Sequence, residues 1–235
     1  LGHKFVFYLN ASEISDAAVR FGRAESHHIS AVLRLAAGSV VEAVDGEGTL
    51  YGVRLEKLQR GSWWGSILRR EVQESQAPLP VSLALPCLKG ERWEVALEAA
   101  CEMGIKEVWL TDYHKAVVKW SKGRTERAQR KAIEALKQSG GSRMTRIQGP
   151  LALAQLVCET RAGEIWFADA DGEVLPVIAD AGLFIIGPEA GLDAEELDLL
   201  AKFRARRFSL GKRRLRSETA AVAALAQAAR MLKKP

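Results

Sequence analysis

Cysteine is scarce in this sequence: Cys87, Cys101 and Cys158 are the only three in 235 residues, far apart and with no C-x-x-C pair. That spacing argues against a zinc site and against a disulfide framework, so no metal is expected and a reducing cytoplasm is the expected home. No apolar stretch approaches the roughly 20 residues needed to cross a bilayer, and residues 1–4 carry no signal-peptide core, so no membrane partner is expected. Internal repeats and low-complexity tracts are absent too. No G-x-G-x-x-G follows an early strand and no phosphate-binding P-loop occurs, which weakens a reading as a dehydrogenase or another nucleotide-using α/β enzyme.

What is there is the composition of a globular protein, 48% hydrophobic and 27% charged. This length fits one domain or two, and the pattern below favours two. The formal net charge is +5 and the isoelectric point is about 9.2, compatible with a polyanionic partner. Distribution says more than the total. Eight basic residues and no acid occur between Lys202 and Arg216.

The first 75 residues read as short strands, Phe5 to Leu9, Val40 to Val44, Leu50 to Leu58 and Trp63 to Arg69, with Asp45-Gly46-Glu47-Gly48 as a turn. They suggest a small β-barrel closed by one short helix over Glu25 to Leu35. Of Trp63 and Trp64, adjacent on a strand, one must face the core, leaving at most one to stack on a base. Glu71 to Pro80 is polar and then proline-punctuated, a linker signal that places a domain boundary near Pro78, between units 1–75 and 78–235.

Beyond it, strands and helices alternate. Strands are expected at Val81 to Leu85, Glu107 to Leu110, Ile165 to Ala168, Leu183 to Gly187 and Arg207 to Leu210. Helices are expected at Glu91 to Met103, Thr125 to Gln138, Ala194 to Phe203 and Glu218 to Leu232. This order implies an α/β fold with a mainly parallel sheet covered on both faces. Gly104 stands where a left-handed helix cap is expected, and Asp193 with Glu196 has capping-box spacing.

Two segments carry chemistry. Ile185 to Gly191 is a buried strand running into a glycine-bearing loop at the carboxyl edge of the sheet, where ligands bind in such folds; a plain tight turn is the other reading. Ser209 to Thr219 again leaves a strand and ends at a helix start, where free N–H groups hold polar atoms. Here the other reading is an ordinary N-cap at Ser217 behind a solvated basic run.

These two segments, IIGPEAG and SLGKRRLRSETA, resemble the carboxyl-terminal signature of the trefoil-knotted SPOUT methyltransferases, most closely the 16S ribosomal RNA uracil-N3 methyltransferases. Upstream, His27-His28 with Val32-Leu33-Arg34-Leu35 and Gly38 resembles that family's segment in its PUA-like barrel. Lys89-Gly90, Glu102-Met103-Gly104, and Glu134-Ala135 with Gln138-Ser139 resemble further family segments. The sequence departs from the pattern at Ala190 for a second glycine, Arg214 for an aliphatic residue, Gly141 and Thr145 for Arg and Pro, and His114-Lys115 for Arg-Ser. If residue 190 needs a positive φ, alanine there strains the loop by about 1 kcal/mol.

The resemblance implies a SPOUT-type parallel sheet with a C-terminal knot after a PUA-like barrel, S-adenosylmethionine as methyl donor, a uracil of ribosomal RNA or the small ribosomal subunit as substrate, and a homodimer. It places the donor among Leu85, Gly187, Pro188, Glu189, Gly191, Leu210, Gly211, Leu215 and Thr219. Arg216 and Glu218 are the candidates for orienting the uracil or favouring its deprotonated form, against an Arg216–Glu218 ion pair that merely shapes the loop. Lys4, His28, Arg34 and Arg213 are candidates for RNA contacts. Of the paired histidines, one is expected to pack and the other to meet RNA or solvent. A catalytically silent RNA-binding relative is the alternative function.

Overall fold

In the computed structural model residues 5–76, 78–160, 163–174 and 181–231 are described, and Lys4 lies outside them. The chain divides into two compact units, residues 1–77 with 133–144, and residues 78–132 with 145–235.

In the first unit, β1 (Val6–Tyr8), β2 (Ala18–Arg20), β3 (Val40–Val44), β4 (Thr49–Gln59) and β5 (Ser62–Val72) form one sheet in the order β1-β3-β4-β5-β2. Arg60 and Gly61, at φ 52° and 78°, join β4 to β5. Two left-handed residues make the hairpin turn whose twist matches that of the strands. Asp45 organises the other turn by accepting hydrogen bonds from the Glu47 and Thr49 amides at 2.8 and 3.0 Å. The inward residues, among them Phe7, Val19, Phe21, Ile29, Val53, Leu55 and Trp63, share one core.

Helix α1 (Arg23–His27) passes into a single π-helical turn, His28–Val32. Arg34, at φ 52°, then stops it, so the expected helix ends before Leu35. The Ser26 hydroxyl pins this helix to the sheet. It donates to the Phe21 carbonyl at 3.0 Å and accepts the Trp63 amide at 2.8 Å. Trp63 is buried with its indole N–H on Ser30, while Trp64 is partly exposed, as strand alternation requires. The expected linker is shorter than read, because β5 continues to Val72 and the next strand begins at Leu79.

The second unit is a six-stranded sheet, parallel throughout, built from β6 (Leu79–Pro86), β7 (Ile105–Asp112), β8 (Arg146–Ala152), β9 (Glu164–Val174), β10 (Gly182–Ile185) and β11 (Arg206–Ser209). Its order is β11-β9-β10-β6-β7-β8. Strand β10 is buried at all four residues, consistent with its place between β9 and β6. The α-helices that follow β6 are α2 (Arg92–Glu102), α3 (Lys122–Ser139), whose residues from Ile133 on belong to the first unit, α4 (Leu153–Glu159), α5 (Ala194–Lys202) and α6 (Ser217–Met231). Gly104 caps α2 at φ 67°. Of these elements, β8 and α4 were not expected, nor was β2 in the first unit.

Candidate active site

A cleft of about 810 Å³ opens beyond the carboxyl ends of β10 and β11. Gly187, Pro188, Glu189 and Gly191 line it from the loop after β10; Leu210, Gly211, Arg213, Leu215 and Arg216 line it from the loop after β11. Ala168 to Ala170 of β9, Leu192 and Arg92 complete much of the wall. The expected donor-binding and catalytic residues outside the lining are Leu85, fully buried in β6, Thr219, which is exposed, and Glu218.

The two loops are fastened to each other and to the body of the unit. Gly191, at φ 74°, closes a turn with its amide on the Pro188 carbonyl at 2.9 Å. Ala190 is not among the described residues with positive φ, so the strain considered for alanine there does not arise. Asp193 caps α5 reciprocally: its carboxylate accepts the Glu196 amide at 2.8 Å while the Glu196 carboxylate accepts the Asp193 amide at 3.0 Å. From the other loop, the Ser217 hydroxyl donates to the Gly187 carbonyl at 2.8 Å. Arg214 donates to the Glu189 carbonyl at 3.0 Å, so this departure from the family pattern places its guanidinium on backbone oxygen.

Arg92, at the start of α2, is a cleft residue that motif reading did not reach. Its Nε donates to the Lys89 carbonyl at 3.1 Å and its Nη2 to Glu189 Oε1 at 2.5 Å. On the other side, Nη1 stands 4.0 Å from Glu218 Oε2. Among the described residues no Arg216–Glu218 ion pair forms; Glu218 is buried, its partner is Arg92, and its Oε2 has no hydrogen bond.

At the exit of β7, His114 Nδ1 lies 2.8 Å from Asp193 Oδ2, and the His114 amide donates to Glu196 Oε1 at 2.9 Å. The hydrogen bond to Asp193 raises the imidazole pKa above its ordinary 6.5. Asp193 is held below its ordinary 3.8, first by the Glu196 amide and then by His114. Lys115 donates to the Leu192 carbonyl at 3.2 Å. The departure at 114–115 therefore braces the loop from which α5 starts.

Of the other expected RNA contacts, Arg213 and Arg34 are exposed. The His28 ring packs edge-on to Phe7 with centroids 5.7 Å apart, while His27 beside it is exposed. Among the described residues no group of three or more His, Cys, Asp or Glu side chains could hold a metal ion, and no helix is long and apolar enough to cross a membrane.

The RNA methyltransferase domain model matches residues 75–229, and the RNA methyltransferase PUA domain model matches residues 21–68. The chain belongs to the RNA methyltransferase family. Within it, the chain is similar to the ribosomal RNA small subunit methyltransferase E of Synechocystis, 30% identical over 92% of this chain and 74% of that protein. The protein of that name from Mycobacterium bovis is 29% identical over 94% of this chain and 89% of its own length. The solved structure of ribosomal RNA small subunit methyltransferase E from Neisseria gonorrhoeae, bound to S-adenosyl methionine, superposes with a TM-score of 0.85 at 24% identity, covering 96% of each chain. The α/β SPOUT-type sheet preceded by a PUA-like unit, expected from the resemblance, is the fold of this family member.

Proposed function

We propose that this protein transfers the methyl group of S-adenosylmethionine to N3 of a uracil in small-subunit (16S) ribosomal RNA. The observation that carries the reading is that two loops, separated in sequence by α5 and β11, wall one cleft and are joined by the Ser217–Gly187 hydrogen bond. The cleft has the volume of a small-molecule site, commonly about 300 to 1,000 Å³. Its residues fit an adenosyl group: a Cβ added at Gly191 or Gly211 would meet nothing within 4 Å, so bare backbone borders open space at both. Relatives bearing the small-subunit methyltransferase name supply the substrate class.

When bound, S-adenosylmethionine supplies a methyl group already activated on a sulfonium. The chain's work is then placement and charge. Backbone groups of Gly187, Glu189, Gly191, Leu210, Gly211 and Leu215 surround the adenosine, while Pro188 stiffens the turn between them. As N3 attacks in line, the N–C bond forms, the S–C bond breaks, S-adenosylhomocysteine leaves and the N3 proton passes to solvent. Arg216, exposed on the cleft wall, faces the uracil and favours its anionic form. Glu218 is screened from the cleft and acts behind it, against Arg92.

The first unit and Arg213 grip phosphates, which position RNA without reading its sequence. A cytoplasmic homodimer is the assembly that goes with this reading. The test is methyl transfer in vitro, with the purified protein, labelled S-adenosylmethionine and small ribosomal subunits that lack the mark, followed by nucleoside mass spectrometry. Label in 3-methyluridine is expected. Label in another nucleoside reassigns the target, and RNA binding with no donor binding and no transfer favours the silent relative.

A further inference from the structure

Five cations line the cleft; Arg214 rests on the Glu189 carbonyl, and among the described residues Arg92 is the one of the five that is paired with carboxylates. Lys212, Arg213, Arg214 and Arg216 are exposed on the loop after β11. Arg92 instead rises from the first turn of α2, and its guanidinium is engaged on three sides, by the Lys89 carbonyl, Glu189 and Glu218. The Arg92 and Glu189 side chains are 34% and 29% exposed, so their contact is partly shielded from solvent.

Glu189 is the other half of this arrangement. Its backbone lines the cleft, its carbonyl receives Arg214, and its carboxylate receives both Arg92 and the Lys89 amide, at 2.5 and 3.2 Å. The turn from Gly187 to Gly191 is thus held at one end by Ser217 and in the middle by Arg92. Without Arg92, Glu189 keeps only a single amide for its carboxylate, and the buried Glu218 Oε2, which has no hydrogen bond, loses its nearest described cation. Two carboxylates would then face each other across the space the guanidinium fills, pushing the turn outward and adding negative charge beside the cleft.

We propose that Arg92 is a positioning residue for the methyl donor: bridging Glu189 and Glu218, it sets the Gly187–Gly191 turn in the conformation that receives the cofactor. Arg92 acts through Glu189 and does not touch the reacting atoms. The inference rests on the donor-cleft reading above. It predicts a division of labour, with donor binding depending on Arg92 and RNA binding and the chemical step largely independent of it.

The test is calorimetric titration of S-adenosylmethionine into the full-length wild type and the variants R92M, R92K, E189Q and R92M/E189Q, with steady-state kinetics on small subunits. R92M is expected to weaken donor binding and raise the donor KM about five- to tenfold, the scale of one part-shielded ion pair. Its kcat and RNA KM are expected to stay within about twofold of wild type. R92K restores part of the loss, because one ammonium cannot span both carboxylates. E189Q reads the same link from the other side, should R92M fold poorly, and the double variant should be little worse than either single one. Donor binding by R92M and E189Q within about twofold of wild type, or losses that simply add, would overturn the positioning role while leaving the cleft reading intact. A wild-type protein that binds no donor would overturn both.

Discussion

Ser217 and Gly187 are thirty residues apart in sequence, and the hydroxyl of the first donates a 2.8 Å hydrogen bond to the carbonyl of the second. Ser217 is also the first residue of α6, so the contact fixes the start of that helix relative to the turn after β10. Ser217→Ala leaves a shielded carbonyl without its donor and is expected to destabilise the protein by about 1 to 2 kcal/mol. Denaturant titration measures this, and calorimetry should show weaker S-adenosylmethionine binding in the same variant. Unchanged stability and affinity would mean the loops hold their geometry without the contact.

Residues 190 and 191 are expected to prefer opposite members of the alanine–glycine pair, so that exchanging either one destabilises the protein. Gly191 has φ 74° and open space around its missing Cβ, so Gly191→Ala carries a purely conformational cost of about 1 kcal/mol or more. Ala190 has no positive φ, so restoring the family's glycine with Ala190→Gly only loosens the unfolded chain and is expected to lower stability by about 0.4 to 1 kcal/mol. A gain in stability for Ala190→Gly would contradict the backbone geometry described above.

The His114–Asp193 pair gives stability a pH dependence of definite sign. The folded imidazole pKa lies above 6.5, so its contribution is fully present below that value and is lost as pH rises through the raised one. The folded Asp193 pKa lies below 3.8, so its contribution is present above that value and is lost as pH falls through the lowered one. The pair is therefore complete between about pH 4 and 6.5. Thermal melts of wild type and His114→Ala should differ more at pH 5.5 than at pH 8.5. His114→Arg, which restores the family residue, should hold its charge at both. An equal gap at the two pH values would show that the pair is not formed in solution.

Thiol chemistry separates the three cysteines. Cys158 is exposed, whereas burial pushes Cys87 up to about 11 and Cys101 up to about 12, leaving almost no thiolate on either at neutral pH. One thiol per chain is expected to react rapidly with a disulfide reagent at pH 8, and Cys158→Ser should abolish that phase. Rapid reaction of two or three thiols would show the core opening on the same timescale.

How much of this was legible in the sequence depended on how local the cause was. The Asp193–Glu196 capping box, the Gly104 cap and the apolar run of β10 act within a few residues, and each is found where its pattern pointed. The strand Arg146–Ala152 was missed because it lies at the sheet edge, largely exposed, with Gly149-Pro150 interrupting any alternation. β2 is only three residues long and offers too little period to detect. The two loops were recognisable by motif, whereas Arg92 was not, because its partner Glu189 is 97 positions away and only the fold brings them together. Glu218 likewise looked like a partner for nearby Arg216, but α6 turns it toward α2.

Methylation of N3 of a uracil in small-subunit ribosomal RNA is the activity proposed for this cleft. Its most direct test is nucleoside mass spectrometry of ribosomal RNA from cells lacking this protein, with and without the wild-type gene restored. The account predicts that 3-methyluridine disappears from small-subunit RNA and returns on complementation. An unchanged 3-methyluridine level, with some other methylated nucleoside missing, would contradict it.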